Sequence, residues 1–174
     1  MSSATTPLPG DGQPVPVTSL SLRSALGRFA TGVTVITCVD DQGERHGLTA
    51  NSFNALSLDP ALVLWSLRLA SGQLAAFRGA RHWAVNVLAQ SQIDLSRRFA
   101  KPGDDRFGAG TWWAGQGGAP VLDGAIAVFE CEAWQHMDAG DHCLFIGRVL
   151  QLREHAGLPL VYHTGHYREL GGPL

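Results

Sequence analysis

Six of the seven residues at 33–39 (VTVITCV) are β-branched, and the DDQGE that follows at 40–44 is a polar turn. β-branched side chains lose rotamer freedom in a helix and pack well on a pleated surface. A turn directly behind such a run predicts a hairpin whose returning strand is 46–53, with TANSF at its far end. The same signal recurs down the chain. Asp59-Pro60 breaks the backbone before a strand at 61–67, and a further strand is predicted at 83–88. Two long β segments at 125–135 and 142–152 follow, then a short one at 160–163.

Helical signals are brief by comparison. Leu22, Ala25, Leu26 and Phe29 keep i, i+3, i+4, i+7 spacing, the apolar stripe of one short helix with a stop at Gly32. Ser71 is placed to cap a helix over 71–77, and Ser91 with Asp94 resembles a capping box ahead of a helix through Ala100. The Gly-rich stretch 101–118, which carries Trp112 and Trp113, reads as a surface loop or a lid. Six or so strands with only short helices predict a mainly β fold, an antiparallel barrel rather than a doubly wound parallel sheet.

A chain of 174 residues, 45% apolar and 16% charged, has the size and balance of one folded domain. Residues 1–18, rich in Pro, Gly, Ser and Thr, read as a flexible leader, and 19–174 as the domain. A net charge of -2 supplies no basic field for nucleic acid. Cys38, Cys131 and Cys143 lie far apart in apolar runs and are expected to pack as small hydrophobes, without a disulfide framework or a zinc site. No window approaches the roughly 20 apolar residues of a membrane span, and the start lacks the pattern of a signal peptide. A soluble, cytoplasmic protein is the expectation.

The chemistry is found mostly by elimination. There is no G-x-G-x-x-G, no phosphate-loop motif and no G-x-S-x-G, and the carboxylates are scattered. His136 and His142 flank MDAGD, and His163 and His166 lie in YHTGHY, but neither pair has the helical spacing of a zinc site. Polar turn histidines are the better reading than metal ligands, and no metal is expected. The segment GLTANSFNALSL at 47–58 is more telling, because Thr49, Asn51, Ser52 and Asn54 interrupt an apolar strand pattern. Such a strand end offers hydrogen-bond donors and close backbone approach to a phosphate or a polar heteroaromatic ring, although Ser, Thr and Asn also mark ordinary turns. Asn86 is a second interruption, between Val85 and Val87, and a buried Asn needs a partner.

Seven collinear segments resemble the short-chain flavin reductase family, the reductase components of two-component flavin-dependent monooxygenases. They are FATGVTVIT (29–37), GLTANSFNALSLDPALVL (47–64), FRGARHWAVNVL (77–88), LSRRFA (95–100), DRF (105–107), GDHCLFIGRV (140–149) and PLVYHTGHYREL (159–170). The resemblance implies a six-stranded Greek-key split barrel that pairs into a homodimer. It also implies that the chain binds FMN or FAD, takes hydride from NADH or NADPH, and releases reduced flavin to a separate monooxygenase.

By the same resemblance the flavin would meet Thr49, Ala50, Asn51, Ser52 and Phe53. Its phosphate would lie near Ser66, Leu67, Arg68 and Ser71. Phe99, Ala100, Lys101 and Arg106 would close the site from the other side, and Asn86 would either face the ring or serve the core. Thr31, Gly32, His142, Tyr162, His163, Gly165 and Tyr167 would line the nicotinamide side, with His142 opposite TANSF. No acid or base is nominated, since hydride transfer to a flavin asks the protein mainly for positioning. Two other readings suit the same barrel: a flavin- or haem-binding module, and an oxidase of the pyridoxamine-phosphate type.

Overall fold

The structure, a computed structural model, describes residues 12–103 and 105–173. In chain order the elements are α1 (Ser19–Leu26), β1 (Thr31–Gly32), β2 (Thr34–Val39), β3 (Arg45–Ala50), β4 (Asn54–Leu58), β5 (Ala61–Arg68), α2 (Leu74–Gly79) and β6 (His82–Val87). Then come α3 (Ile93–Phe99), β7 (Trp112–Ala114), β8 (Pro120–Leu122), β9 (Ala127–Ala139), β10 (His142–Glu154), β11 (Val161–His163) and β12 (His166–Arg168).

The main sheet runs β3-β2-β6-β9-β10-β5-β4, and every neighbouring pair is antiparallel. Its two edge strands, β3 and β4, are consecutive in the chain and joined only by residues 51–53. Three residues reach about 10 Å, so the sheet has to curl until its edges meet. The result is a barrel split along one seam. Ser52 bridges that seam, its Oγ accepting from the Ser66 N–H at 3.0 Å and donating to the Ser66 carbonyl at 3.2 Å.

The antiparallel, mainly β reading holds, with a seventh strand in the main sheet. The extra strand arises because the stretch expected as one returning strand, 46–53, turns away after Ala50 and begins β4 at Asn54. The run at 33–39 is continuous in its apolar character because β2 is buried on both faces. Ile36 and Cys38 point into the barrel, whereas Val33 and Val35 face a second core outside it.

Trp65 organises the barrel interior. It stacks on Phe145 at 4.5 Å and meets Phe77 and Trp83 edge-on at 5.0 and 5.8 Å. Each such fully buried side chain contributes about 1.5–3 kcal/mol over an exposed one. Gly147 is required here, since a Cβ at that position would overlap the Trp83 ring. The outer core lies under α3, the β7–β8 hairpin and the β11–β12 hairpin.

Several local expectations are revised. α1 forms, but it ends at Leu26 with Gly27 closing it, whereas Gly32 belongs to β1. Its stripe is unpacked: Leu20, Leu22, Leu26 and Phe29 are all exposed. α3 opens not with a Ser91–Asp94 box but with a 3-10 turn, Gln90–Gln92, in which Gln92 Oε1 accepts the Ala89 N–H at 2.9 Å. The described part of 101–118 is pinned rather than free. Phe107 and Trp112 pack with Phe99 in a three-ring cluster, with centroids 5.1–5.4 Å apart, and the Trp112 indole donates to the Ala109 carbonyl.

Of the expected leader, residues up to 11 lie outside the described residues. Residues 12–17 are exposed without regular structure, and Thr18 serves as the α1 cap. Among the described residues no helix is long and apolar enough to cross a membrane.

Candidate functional site

The site forms where the barrel's edges meet. β3 is an edge strand, and its Gly47 donates to Gln73 Oε1 at 3.0 Å while its carbonyl accepts from Gln73 Nε2 at 2.9 Å. Gln73 thus pairs with the open side of β3 as a neighbouring strand would. Alternate residues of an antiparallel strand direct N–H and C=O the same way. Thr49, two residues on, therefore turns its backbone donor and acceptor to the same open side.

That side opens on a groove of about 360 Å³. Its walls are residues 48–52 from β3 and the seam, Ser66, Leu67 and Arg68 from the end of β5, Phe99 and Ala100 from the end of α3, and His142 from the start of β10. Thr49, Asn51 and Ala100 also line an adjoining hollow of about 200 Å³, whose other walls are Val33, Tyr162 and Tyr167. The two spaces adjoin across these shared residues, with a basic end at Arg68 and His142 and an aromatic end at the two tyrosines.

Most of the hydroxyls here secure the backbone. Thr49 Oγ1 donates to the Ser96 carbonyl at 2.7 Å, Thr34 Oγ1 to the Ala50 carbonyl at 2.7 Å, and Ser52 is occupied with Ser66. What remains toward the cleft is the strand edge at Thr49 and the exposed side chains of Asn51 and Arg68. His142 adds one ring nitrogen. Its Nδ1 lies 2.7 Å from Asp141 Oδ1, which leaves Nε2 free, and this hydrogen bond holds the Asp141 carboxyl below its usual range. A two-residue turn with Gly140 at φ +61° sets the pair at the tip of the β9–β10 hairpin.

Several expected residues stand elsewhere. His142 is on the same side as TANS, not opposite it, because the β5–β10 register sets it against Arg68. Asn86 is withdrawn from the ligand set. It is fully buried, with Nδ2 donating to the Val35 carbonyl at 3.0 Å and Oδ1 accepting from the Leu122 N–H at 2.8 Å. Phe53 turns into the barrel core against Phe129 at 5.1 Å.

Ser71 is not a helix cap, since α2 starts at Leu74 with Gln73 before it. The Ser71 hydroxyl accepts from the Gln73 N–H at 3.3 Å within the turn. Lys101 and Arg106 line a separate depression on the exposed face of α3, with Asp94, Arg97 and Arg98. Thr31 and Gly32 pair with Tyr162 and Val161 and so back the tyrosine strand, while His163 pairs with His166. Gly165, at φ +80°, faces another groove against α1.

Two contributors went unread in the sequence. Gln73 gives no local signal, because its partner is 26 residues away. Ser96 does give one: it stands three residues before Phe99 on the buried face of α3, where an apolar residue is the rule. Among the described residues no three His, Cys, Asp or Glu side chains gather as a metal site. The cysteines are free and buried, and burial pushes the Cys38 and Cys131 thiols up to about 12.

A seam-split antiparallel barrel with a polar cleft at the seam is the fold of the chain, and sequence comparison places it in a family. The flavin reductase like domain matches residues 26–171, and the chain belongs to that family. The reductase component of the flavin-dependent trigonelline monooxygenase of Acinetobacter baylyi is 44% identical over 146 residues, which is 84% of this chain and 47% of that protein. This chain therefore spans about half the length of that relative. The FMN reductase (NADH) SmoA of Agrobacterium fabrum is 43% identical over 149 residues, covering 86% of this chain and 84% of its own. Among solved structures, the NADH:FAD oxidoreductase SgcE6 of Streptomyces globisporus superposes with a TM-score of 0.85 at 32% identity, over 92% of this chain and all of that one.

Proposed function

We propose that this chain is an NADH-dependent flavin reductase that reduces FMN or FAD and passes the reduced flavin to a separate monooxygenase in a cytoplasmic setting, with 19–174 as the working domain. The observation that carries the proposal is the cleft itself: an open β-strand edge at Thr49 between a basic end and an aromatic end. The donor set suits a flavin. Its ring edge alternates hydrogen-bond acceptors and donors, which a strand edge and the Asn51 amide complement, and its phosphate matches Arg68 and His142. The tyrosine end has room for a second flat ring, the nicotinamide. NADH as donor is supported by relatives named for it.

When bound, the flavin supplies the hydride acceptor. The protein's own part is to hold the two rings in contact, keep water out between them and neutralise the phosphate. No side chain in the cleft needs to move a proton, in keeping with hydroxyls already committed to the backbone.

The working form we propose is a homodimer. Leu62 and Leu64 of β5, with Leu144 and Ile146 of β10, alternate with the inward residues of those strands and make an apolar outer face that Met137 and Leu56 extend. A partner copy is the natural cover for such a face.

The test crosses NADH and NADPH with FMN, FAD and riboflavin in a steady-state assay. NADH oxidation that requires added flavin and proceeds in the presence of a chelator is expected. Oxidation that persists after exhaustive flavin removal, or none with any flavin, would sink the proposal.

A further inference from the structure

We infer that Ser96 is a positioning residue for the nicotinamide end of the cleft, acting through Tyr167; this rests on reading the tyrosine end as the nicotinamide side. Ser96 is fully buried in α3, yet its hydroxyl serves neither as a cap nor as a bond to the preceding turn of its own helix. It lies 2.8 Å from the Tyr167 phenol oxygen. The carbonyl of the same residue accepts the Thr49 hydroxyl at 2.7 Å. Thr49 and Tyr167 both line the adjoining hollow, so one helical residue holds two of its walls.

Tyr167 needs such a tether. It sits on a three-residue strand whose sheet has only β11 and β1 as further members. Strands this short hold a side chain poorly unless something outside the sheet fixes it. Its other contacts are weakly directional: apolar packing against the outer core, the Tyr162 ring edge-on at 5.5 Å, and the Arg97 guanidinium 5.8 Å from the ring centre. Among the described contacts, the bond to the buried hydroxyl fixes the ring in both distance and direction, and so fixes the wall against which the nicotinamide is bound. Ser96 therefore sets how well the nicotinamide is held without touching it.

The experiment compares the full-length wild type with Ser96→Ala, Tyr167→Phe, the double variant and Tyr167→Ala. NADH KM and kcat are measured at saturating flavin, flavin Kd by fluorescence, and Tm for each protein. Ser96→Ala and Tyr167→Phe are each expected to raise the NADH KM about five- to ten-fold, with flavin Kd and kcat within about two-fold. The double variant is expected to be no worse than either single one, since both remove the same bond.

A Ser96→Ala protein that loses Tm but keeps its NADH KM overturns the inference, as do additive effects in the double variant. If Tyr167→Ala raises the KM while Ser96→Ala does not, Ser96 alone is misassigned. If Tyr167→Ala leaves the NADH KM unchanged, the tyrosine end is not the nicotinamide side, and both readings fall together. A wild type without NADH-dependent flavin reduction ends both as well.

Discussion

Asn86 and His142 look alike in sequence, each a polar residue beside an apolar run, and the structure separates their roles. Asn86 joins three strands, β6, β2 and β8, through its amide. Removing it strands the Leu122 N–H in a dry core, an unsatisfied group costing about 1–3 kcal/mol, while the Val35 carbonyl keeps its place in the β2–β6 ladder. Asn86→Ala is therefore expected to lose about 1–3 kcal/mol, roughly 2–12 °C in Tm, while the flavin and NADH constants of the folded fraction stay put. Thermal melts alongside steady-state kinetics check this, and a normal Tm with a raised flavin Kd would return Asn86 to the ligand set.

His142 is the converse case. It stands at the basic end of the cleft with one ring nitrogen spent on Asp141. Loss of one hydrogen bond from its free nitrogen, about 1–1.5 kcal/mol, is a factor of roughly ten in affinity. His142→Ala should weaken flavin binding by about that factor and NADH binding by less. Fluorescence titration with each ligand gives the answer, and a larger effect on NADH would put the imidazole on the nicotinamide side after all.

At the scale of the element, what matters is how tightly the strands close. Trp83 lies directly over the β10 backbone because position 147 has no side chain. Overpacking of this kind costs about 1–3 kcal/mol, and more where a large ring has no room to retreat. Trp83 is walled in by Trp65 at 5.8 Å and is itself fully buried. Gly147→Ala is accordingly expected to lower Tm clearly, with loss of near-ultraviolet ellipticity from the tryptophans. An unchanged melt would mean that the barrel interior is looser than its contacts imply. Glu130 plays a comparable part outside the barrel. Fully buried, it accepts from the Gln116 N–H at 2.7 Å and pairs with Arg153 at 3.2 Å, which fastens the β7–β8 connection to β9 and β10.

For the whole molecule, the dimer face proposed on β5 and β10 and the surface ion pairs each lead to a prediction. Leu64→Asp would bury a charge at a dimer interface and simply add one to a monomer's surface. Light scattering should show the wild type as a dimer and this variant as a monomer; a wild type that is monomeric at all concentrations refutes the assembly.

Asp40, Glu132, Asp138 and Asp141 are all held below their ordinary range, the first and last by histidines and the middle two by arginines. The hydrogen bond from Arg78 holds Asp138 below its ordinary 3.8, and the hydrogen bond from Arg148 holds Glu132 below its ordinary 4.5. A carboxyl depressed in the folded state contributes stability above the unfolded pKa and loses it as pH falls through the folded one. Tm should thus be level from neutrality down to about pH 5 and decline below about pH 4.5, by a small amount that salt reduces, because these pairs lie at the surface. A Tm that rises on acidification would contradict the assignment.

What the sequence determined by itself was everything encoded by neighbours along the chain. The β-branched run at 33–39 and its turn, the apolar run at 61–67 behind Asp59-Pro60, and the long apolar stretches after residue 125 each specify a strand locally, and together they specify an antiparallel, mainly β domain. The polar interruption at 47–58 coincides with the seam and with the wall of the groove at 48–52. Tertiary structure alone decided the rest, because closing a barrel pairs residues far apart in the chain. The β5–β10 register brought His142 to the TANS side, and Gln73 came to pair with Gly47 across 26 positions. It also spent the Asn86 amide and the Ser52 hydroxyl on backbone groups that only the closed barrel brings within reach. A hydroxyl or amide in a sequence is equally suited to a ligand or to the protein's own unpaired backbone, and which of them it meets is settled only when the strands are in place.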